Sequence, residues 1–278
     1  LFESMSGITS TGLTIFDNYE NEKDIVFLWR STLQWFGGIG ITVWLCIFHE
    51  DKQYHQFISR ETLSTDDSSS PKSISLKVIS IYILISIISI LAFSLSGTTF
   101  FEAINFTMTL TSTGGFSLYP NSFSQFSNGL KIISSIIMVL CATNFLYFIN
   151  CLFQKKETNE KKLFYYFLVY ILTFSTLYLL VTDFSVDNFF NIISAITTTG
   201  YSSKSLVNQL HVTIFLLTVM FIGAQDSSTA GGIRISNLFK TLKIGCFNQI
   251  SSIEQRESLK LIIYFLFFIL LMSALILI

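Results

Sequence analysis

The chain has 278 residues, 51% of them hydrophobic and only 13% charged, with a formal net charge of −1. That composition lacks the polar surface a soluble domain of this length needs, and it supplies no basic face for a nucleic-acid partner. The four cysteines, Cys46, Cys141, Cys151 and Cys246, form no CxxC pair and fall in or beside apolar runs, so neither a disulfide framework nor a zinc site is expected.

The chain opens on Leu1-Phe2-Glu3 with no Met and no signal peptide, and an N-terminal part is expected to precede it. A short half-apolar stretch begins at Phe2-Glu3 and runs into Ser6-Gly7-Ile8-Thr9-Ser10-Thr11-Gly12. A bilayer is crossed by about 20 mostly apolar residues in a helix, and Ile25–Phe48 is the first stretch to qualify. His49, Glu50 and His55 follow it with the wrong spacing for a zinc-protease helix, and Ser64 to Ser70 read as a polar loop. Ile74–Ser96 is the second span. A second short stretch, one helical turn longer, runs from Phe101-Glu102 to Thr111-Ser112-Thr113-Gly114-Gly115-Phe116, and Thr99 and Glu102 have capping-box spacing at its start. Gly129–Phe153 is the third span and Leu163–Thr182 the fourth. A third short stretch starts at Phe190-Asn191, with Ser185 or Asp187 as its N-cap, and ends Thr197-Thr198-Thr199-Gly200-Tyr201. Leu210–Leu242 is too long for one plain span, and Gly223 to Gly232 interrupts it; Leu259–Ile278 is the sixth.

Most of the 17 Lys and Arg lie in one alternating set of connections, around Lys52, Lys155 and Lys243. The positive-inside rule places that set in the cytoplasm and the three short stretches on the other side. Each short stretch is too brief to span. A re-entrant helix followed by extended backbone fits, because non-helical backbone at membrane depth must line a water-filled path or be buried in protein.

The Thr-Gly ends point to a cation filter. A dehydrated cation needs backbone carbonyls in place of its water shell, and Gly12, Gly114 and Gly200 are expected to supply the backbone angles that aim them. The negative ends of the short helices favour a cation at the same place, and the Thr and Ser hydroxyls hold the strand. The alternative is that each Thr-Gly is a helix C-cap before a loop; three copies in equivalent positions weigh against that reading.

With Trp29-Arg30, Gln34-Trp35, Gly37-Gly38-Ile39-Gly40 and Ser228-Thr229-Ala230-Gly231-Gly232, these ends resemble the Trk/Ktr/HKT superfamily of potassium transporters, most closely its bacterial TrkH-type membrane subunits. The run Gly37-Gly38-Ile39-Gly40 also matches part of a dinucleotide fingerprint, but it lies inside an expected membrane helix, where close packing is the better reading.

The resemblance implies an all-α integral membrane fold of helix–re-entrant pore loop–helix repeats around one pore. It divides the chain into residues 1–50 (pore loop and second helix of repeat 1), 74–155 (repeat 2), 161–245 (repeat 3, with a broken second helix) and 259–278 (first helix of an incomplete repeat 4). It implies ion-binding positions at Thr11, Gly12, Thr113, Gly114, Thr199 and Gly200, with potassium as the transported ion and no cofactor, catalytic residue or resident metal. It implies a gate loop containing Gly223, Asp226, Gly231 and Gly232. Small residues there also suit close helix packing. Two readings of Asp226 stand, a cation ligand or a mark of relaxed constraint on the gate. The implied partners are lipid, a second copy of the subunit and a cytoplasmic nucleotide-binding regulatory subunit of the Trk/Ktr type, in the inner (plasma) membrane. A nonconducting remnant or partial subunit is the competing function. A membrane-embedded enzyme is disfavoured, since no nucleophile–base pair or metal-ligand set falls in a span.

Overall fold

The computed structural model describes residues 1–16, 19, 22–48, 71–153, 159–204 and 210–237. The expected span Leu259–Ile278 and the loops at Lys52, Lys155 and Lys243 lie outside the described residues.

The described residues are helical, with no strand among them. In chain order the helices are α1 (Phe2–Ile8), α2 (Asp24–Phe48), α3 (Pro71–Leu95), α4 (Phe100–Thr111), α5 (Asn128–Ala142), α6 (Phe145–Phe153), α7 (Asn159–Val181), α8 (Val186–Ile196) and α9 (Leu210–Ile222). Two of them, over Ser75–Leu95 in α3 and Leu163–Val181 in α7, are long and apolar enough to cross a membrane. On α3, Ile83, Leu84, Ile87, Ile88 and Leu91 are exposed on the isolated chain while Tyr82 and Phe93 are fully buried. A helix that is apolar on both faces in this way turns one to protein and the other to lipid.

The short helices α1, α4 and α8 begin and end by local rules. Thr99 closes a capping box with Glu102 at the start of α4. Of the two caps open at the third copy, Ser185 takes the role and accepts from Asn188 N at 3.2 Å. The packing repeats as well: α4 lies against α2, α3 and α5, and α8 lies against α5, α7 and α9. Both α4 and α8 thus touch the longer helices before and after them and one from the preceding unit, and α1 packs on α2. Between α4 and α8 the Phe123 ring joins Phe106 and Phe190, with centroids 5.0 and 5.1 Å away.

The expected third span, Gly129–Phe153, is not one straight helix. It breaks at Thr143-Asn144, and α5 and α6 meet at 87°. Neither Gly nor Pro causes the break. Asn144 Oδ1 accepts from Leu146 N at 2.8 Å and caps α6. The carbonyls freed at the end of α5 find partners in a distant segment: Gln225 N donates to Ala142 O and Thr229 N to Cys141 O, both at 3.3 Å. A backbone that leaves its helix inside a membrane needs such partners.

Candidate functional site

The three expected filter segments share one hydrogen-bond pattern at the ends of α1, α4 and α8. Thr11 N donates to Ser6 O, Gly114 N to Thr109 O and Thr199 N to Ser194 O, each spanning five residues at 2.9–3.0 Å. Inside each, Ser10 N donates to Gly7 O, Thr113 N to Leu110 O and Thr198 N to Ala195 O. This is a Schellman cap, so the C-cap reading of the sequence describes the helix ends correctly and the strand continues from it. The left-handed position belongs to Ser10, Thr113 and Thr198, with φ of 52°, 50° and 56°. Non-glycine residues adopt this region at a cost of about 1–2 kcal/mol, and β-branched ones rarely do. Strain at one place in three segments persists only because the surrounding structure fixes it there.

The caps correct the register of the second segment. The structural equivalents of Gly12 and Gly200 is Gly115, not Gly114: positive φ occurs at Gly12 (77°), Gly115 (75°) and Gly200 (86°) and not at Gly114. Gly114 stands level with Thr11 and Thr199. The longer α4 moves its cap one residue along the Thr-Ser-Thr-Gly string. The glycines also carry the segments close together. A Cβ on Gly12 would lie 2.2 Å from Gly114 O, and one on Gly115 would lie 2.0 Å from Thr199 O. The first and second segments therefore each abut a carbonyl of the next in the same way. A Cβ on Gly200 meets nothing within 4 Å among the described residues.

Side chains from elsewhere fix the second segment. Tyr201 Oη donates to Phe116 O at 2.5 Å, and Gln34 on α2 bonds Gly114 O and Phe116 N. Neither the Gln34 nor the Tyr201 brace is legible in the sequence beyond the presence of Gln34 in a family-like run. Gly37 and Gly38 bring α2 in close: Cβ atoms there would lie 2.3 Å from Ile8 O and 2.8 Å from Ser112 Cα. This supports close packing, and not a nucleotide site, for that glycine run. Arg30, 1% exposed, pairs through Nε with Glu3 Oε2 at 2.7 Å and faces the Phe116 ring at 4.1 Å.

Below the caps α9 ends at Ile222, and the chain is non-helical until residue 235. Gly223 and Gly232, with φ of 73° and 91°, pinch this loop: a Cβ on Gly232 would lie 2.6 Å from Gly223 Cα. Gln225 anchors it in the α5–α6 break, accepting from Asn144 N at 2.7 Å and donating to Leu163 O at 2.8 Å. Asp226 is 8% exposed and accepts a hydrogen bond from Ser236 Oγ; Arg234 Nη1 donates to Gln225 O at 3.3 Å. The loop also touches the filter segments at their strained residues. Thr198 Oγ1 accepts from Gly231 N at 2.7 Å. Thr113 Oγ1 shares its proton between Ser112 O at 2.8 Å and Thr229 O at 2.9 Å. The equivalent Ser10 Oγ is buried with no hydrogen-bond partner among the described residues.

Repeated short helices with strained caps, wedged among long apolar helices and underlain by a broken one, define an all-α membrane protein of the pore-loop class. The chain belongs to the TrkH family of cation transport proteins, which it matches over residues 1–182. It is 30% identical over 248 residues to an uncharacterised cation transporter of Methanocaldococcus jannaschii, covering 87% of this chain and 52% of that protein. It is 29% identical over 253 residues to the Trk system potassium uptake protein TrkI of Halomonas elongata, covering 84% and 51%. The crystal structure of the potassium transporter TrkH from Vibrio parahaemolyticus superposes with a TM-score of 0.71 at 26% identity, over 88% of this chain and 54% of that one. The chain thus spans about half the length of the relatives it matches.

Proposed function

We propose that the chain forms three quadrants of a potassium-conducting pore. The first is residues 1–50, the second 74–155 and the third 161–245, and residues 259–278 open the fourth. The observation that carries this reading is the repeated cap, which delivers Gly12, Gly115 and Gly200 to equivalent places and sets the first two against the neighbouring segment's carbonyl. Carbonyls fixed at such close approach are suited to replacing the hydration shell of a potassium ion. Thr11, Thr113, Gly114 and Thr199 belong to the same strands, with Gly115 joining them on the corrected register. The relatives named for potassium uptake support the choice of ion. The resemblance adds a homodimer in the plasma membrane and a nucleotide-binding cytoplasmic partner. The full-length protein is expected to restore growth at low potassium to a bacterium lacking its own uptake systems. Failure to do so with the protein present in the membrane favours the nonconducting subunit.

The loop containing Gly223, Asp226, Gly231 and Gly232 is the gate in this reading, and its hydrogen bonds to Thr198 and Thr113 hold it against the filter. Thr198→Val keeps the shape and β-branching but strands Gly231 N. Losing a bond of about 1 kcal/mol is expected to raise potassium flux about fivefold. Ser10→Ala, at a hydroxyl without a partner among the described residues, is the matched control and is expected to leave flux unchanged. Equal effects from the two substitutions, read by rubidium uptake, count against a gate held at Thr198.

A further inference from the structure

In the first and third segments the strand is braced from within. Thr9 Oγ1 lies 2.8 Å from Thr11 Oγ1, and Thr197 Oγ1 lies 2.8 Å from Thr199 Oγ1. In both, the first hydroxyl of the pair also hydrogen-bonds back to its helix, Thr9 to Met5 O at 2.7 Å and Thr197 to Ile193 O at 2.9 Å. The second segment keeps half of this device. Ser112 Oγ bonds Met108 O at 2.9 Å in the same way, but Gly114 stands where the sister segments have threonine and offers no hydroxyl.

Gln34 fills that place from another repeat. It is fully buried, donates from Nε2 to Gly114 O at 2.7 Å, and accepts at Oε1 from Phe116 N at 3.2 Å. A Cβ on residue 114 would lie 2.5–2.8 Å from the Gln34 amide atoms. The glutamine in this position therefore requires a glycine at 114.

We propose that Gln34 is a positioning residue for ion selectivity, supplying from α2 the brace that Thr9–Thr11 and Thr197–Thr199 provide within their own segments. The inference rests on reading these segments as the filter. Its amide fixes the direction of one carbonyl and draws on that carbonyl's lone pair, so this quadrant differs from its sisters in both orientation and field. A filter that selects by carbonyl distance and field strength feels both.

Reversal potentials of the full-length protein in mixed potassium and sodium solutions test this. Gln34→Leu is expected to lower the potassium-to-sodium permeability ratio about tenfold while potassium flux persists. Gly114→Thr alone is expected to lower the ratio at least as far, through its clash with the amide. Joining Gln34→Ala to Gly114→Thr makes room for the side chain beside Ser112 Oγ and is expected to recover the ratio to within about threefold of the parent. A merely structural glutamine predicts no such rescue. The proposal is overturned if Gln34→Leu leaves the ratio unchanged, or if the double variant, present in the membrane, selects no better than Gly114→Thr. Should Gln34→Leu not reach the membrane, the double variant decides. Gly115→Ser separates the two levels: if it lowers the ratio and Gln34→Leu does not, only the brace fails, and if neither does, the filter reading fails with it.

Discussion

Gly115→Ser is expected to cut potassium-over-sodium discrimination at least tenfold, and Gly200→Ser about tenfold. Both residues have φ in the left-handed region, at 75° and 86°. A side chain there costs about 1–2 kcal/mol from backbone strain alone. At Gly115 a second cost adds to it, because the new Cβ would lie 2.0 Å from Thr199 O and must displace backbone of the neighbouring segment. Since about 1.4 kcal/mol is tenfold in relative binding, the backbone strain alone accounts for a tenfold loss at either glycine, and the close approach at Gly115 adds to it. Reversal potentials of the two variants of the full-length protein measure it. Equal selectivity in both, at the parental value, would remove these glycines from the filter.

The gate loop gives the second large effect. Gly232→Ala is expected to change open probability roughly tenfold with selectivity intact, since forcing a methyl group into packed backbone costs roughly 1–3 kcal/mol. The methyl would lie 2.6 Å from Gly223 Cα and 2.8 Å from Gly223 N, at a residue whose φ is 91°. The pinch that shapes the loop would have to open. Gly231→Ala, one residue earlier, meets only Thr198 among the described residues, Oγ1 at 3.4 Å and Cβ at 3.9 Å, and is expected to be nearly neutral. Patch recordings of both variants are the measurement. A strong effect at Gly231 and none at Gly232 would mean that the Gly223–Gly232 pinch does not set the gate.

Much of the fold was legible because it rests on local rules. The apolar lengths gave the long helices, Thr99 and Glu102 gave the start of α4, and the glycines at 223 and 232 gave the interruption after α9. The filter register was not legible. Thr9-Ser10-Thr11-Gly12 and Thr111-Ser112-Thr113-Gly114 align perfectly as strings, and only the helix end, set by the bond from Gly114 N to Thr109 O, shifts one against the other. The bend between α5 and α6 escaped for a different reason. Thr143-Asn144 carries no breaker, and what stabilises the break is a set of partners near residue 225. Gln34 was visible as part of a run, but its role depends on a carbonyl 80 residues away.

The α5–α6 break also bears on how the protein is made. Asn144 N is bonded by Gln225 Oε1, 81 residues further on, and Cys141 O by Thr229 Oγ1, 88 residues further on. When the second unit leaves the insertion machinery, those partners have not yet been synthesised. A bent helix with open backbone groups is costly in hydrocarbon, so α5 and α6 have reason to enter the bilayer as one straight rod. The bend is fully satisfied only once the third unit supplies residues 225 and 229. The interruption after α9 and the bend between α5 and α6 depend on one another, each satisfying groups the other exposes.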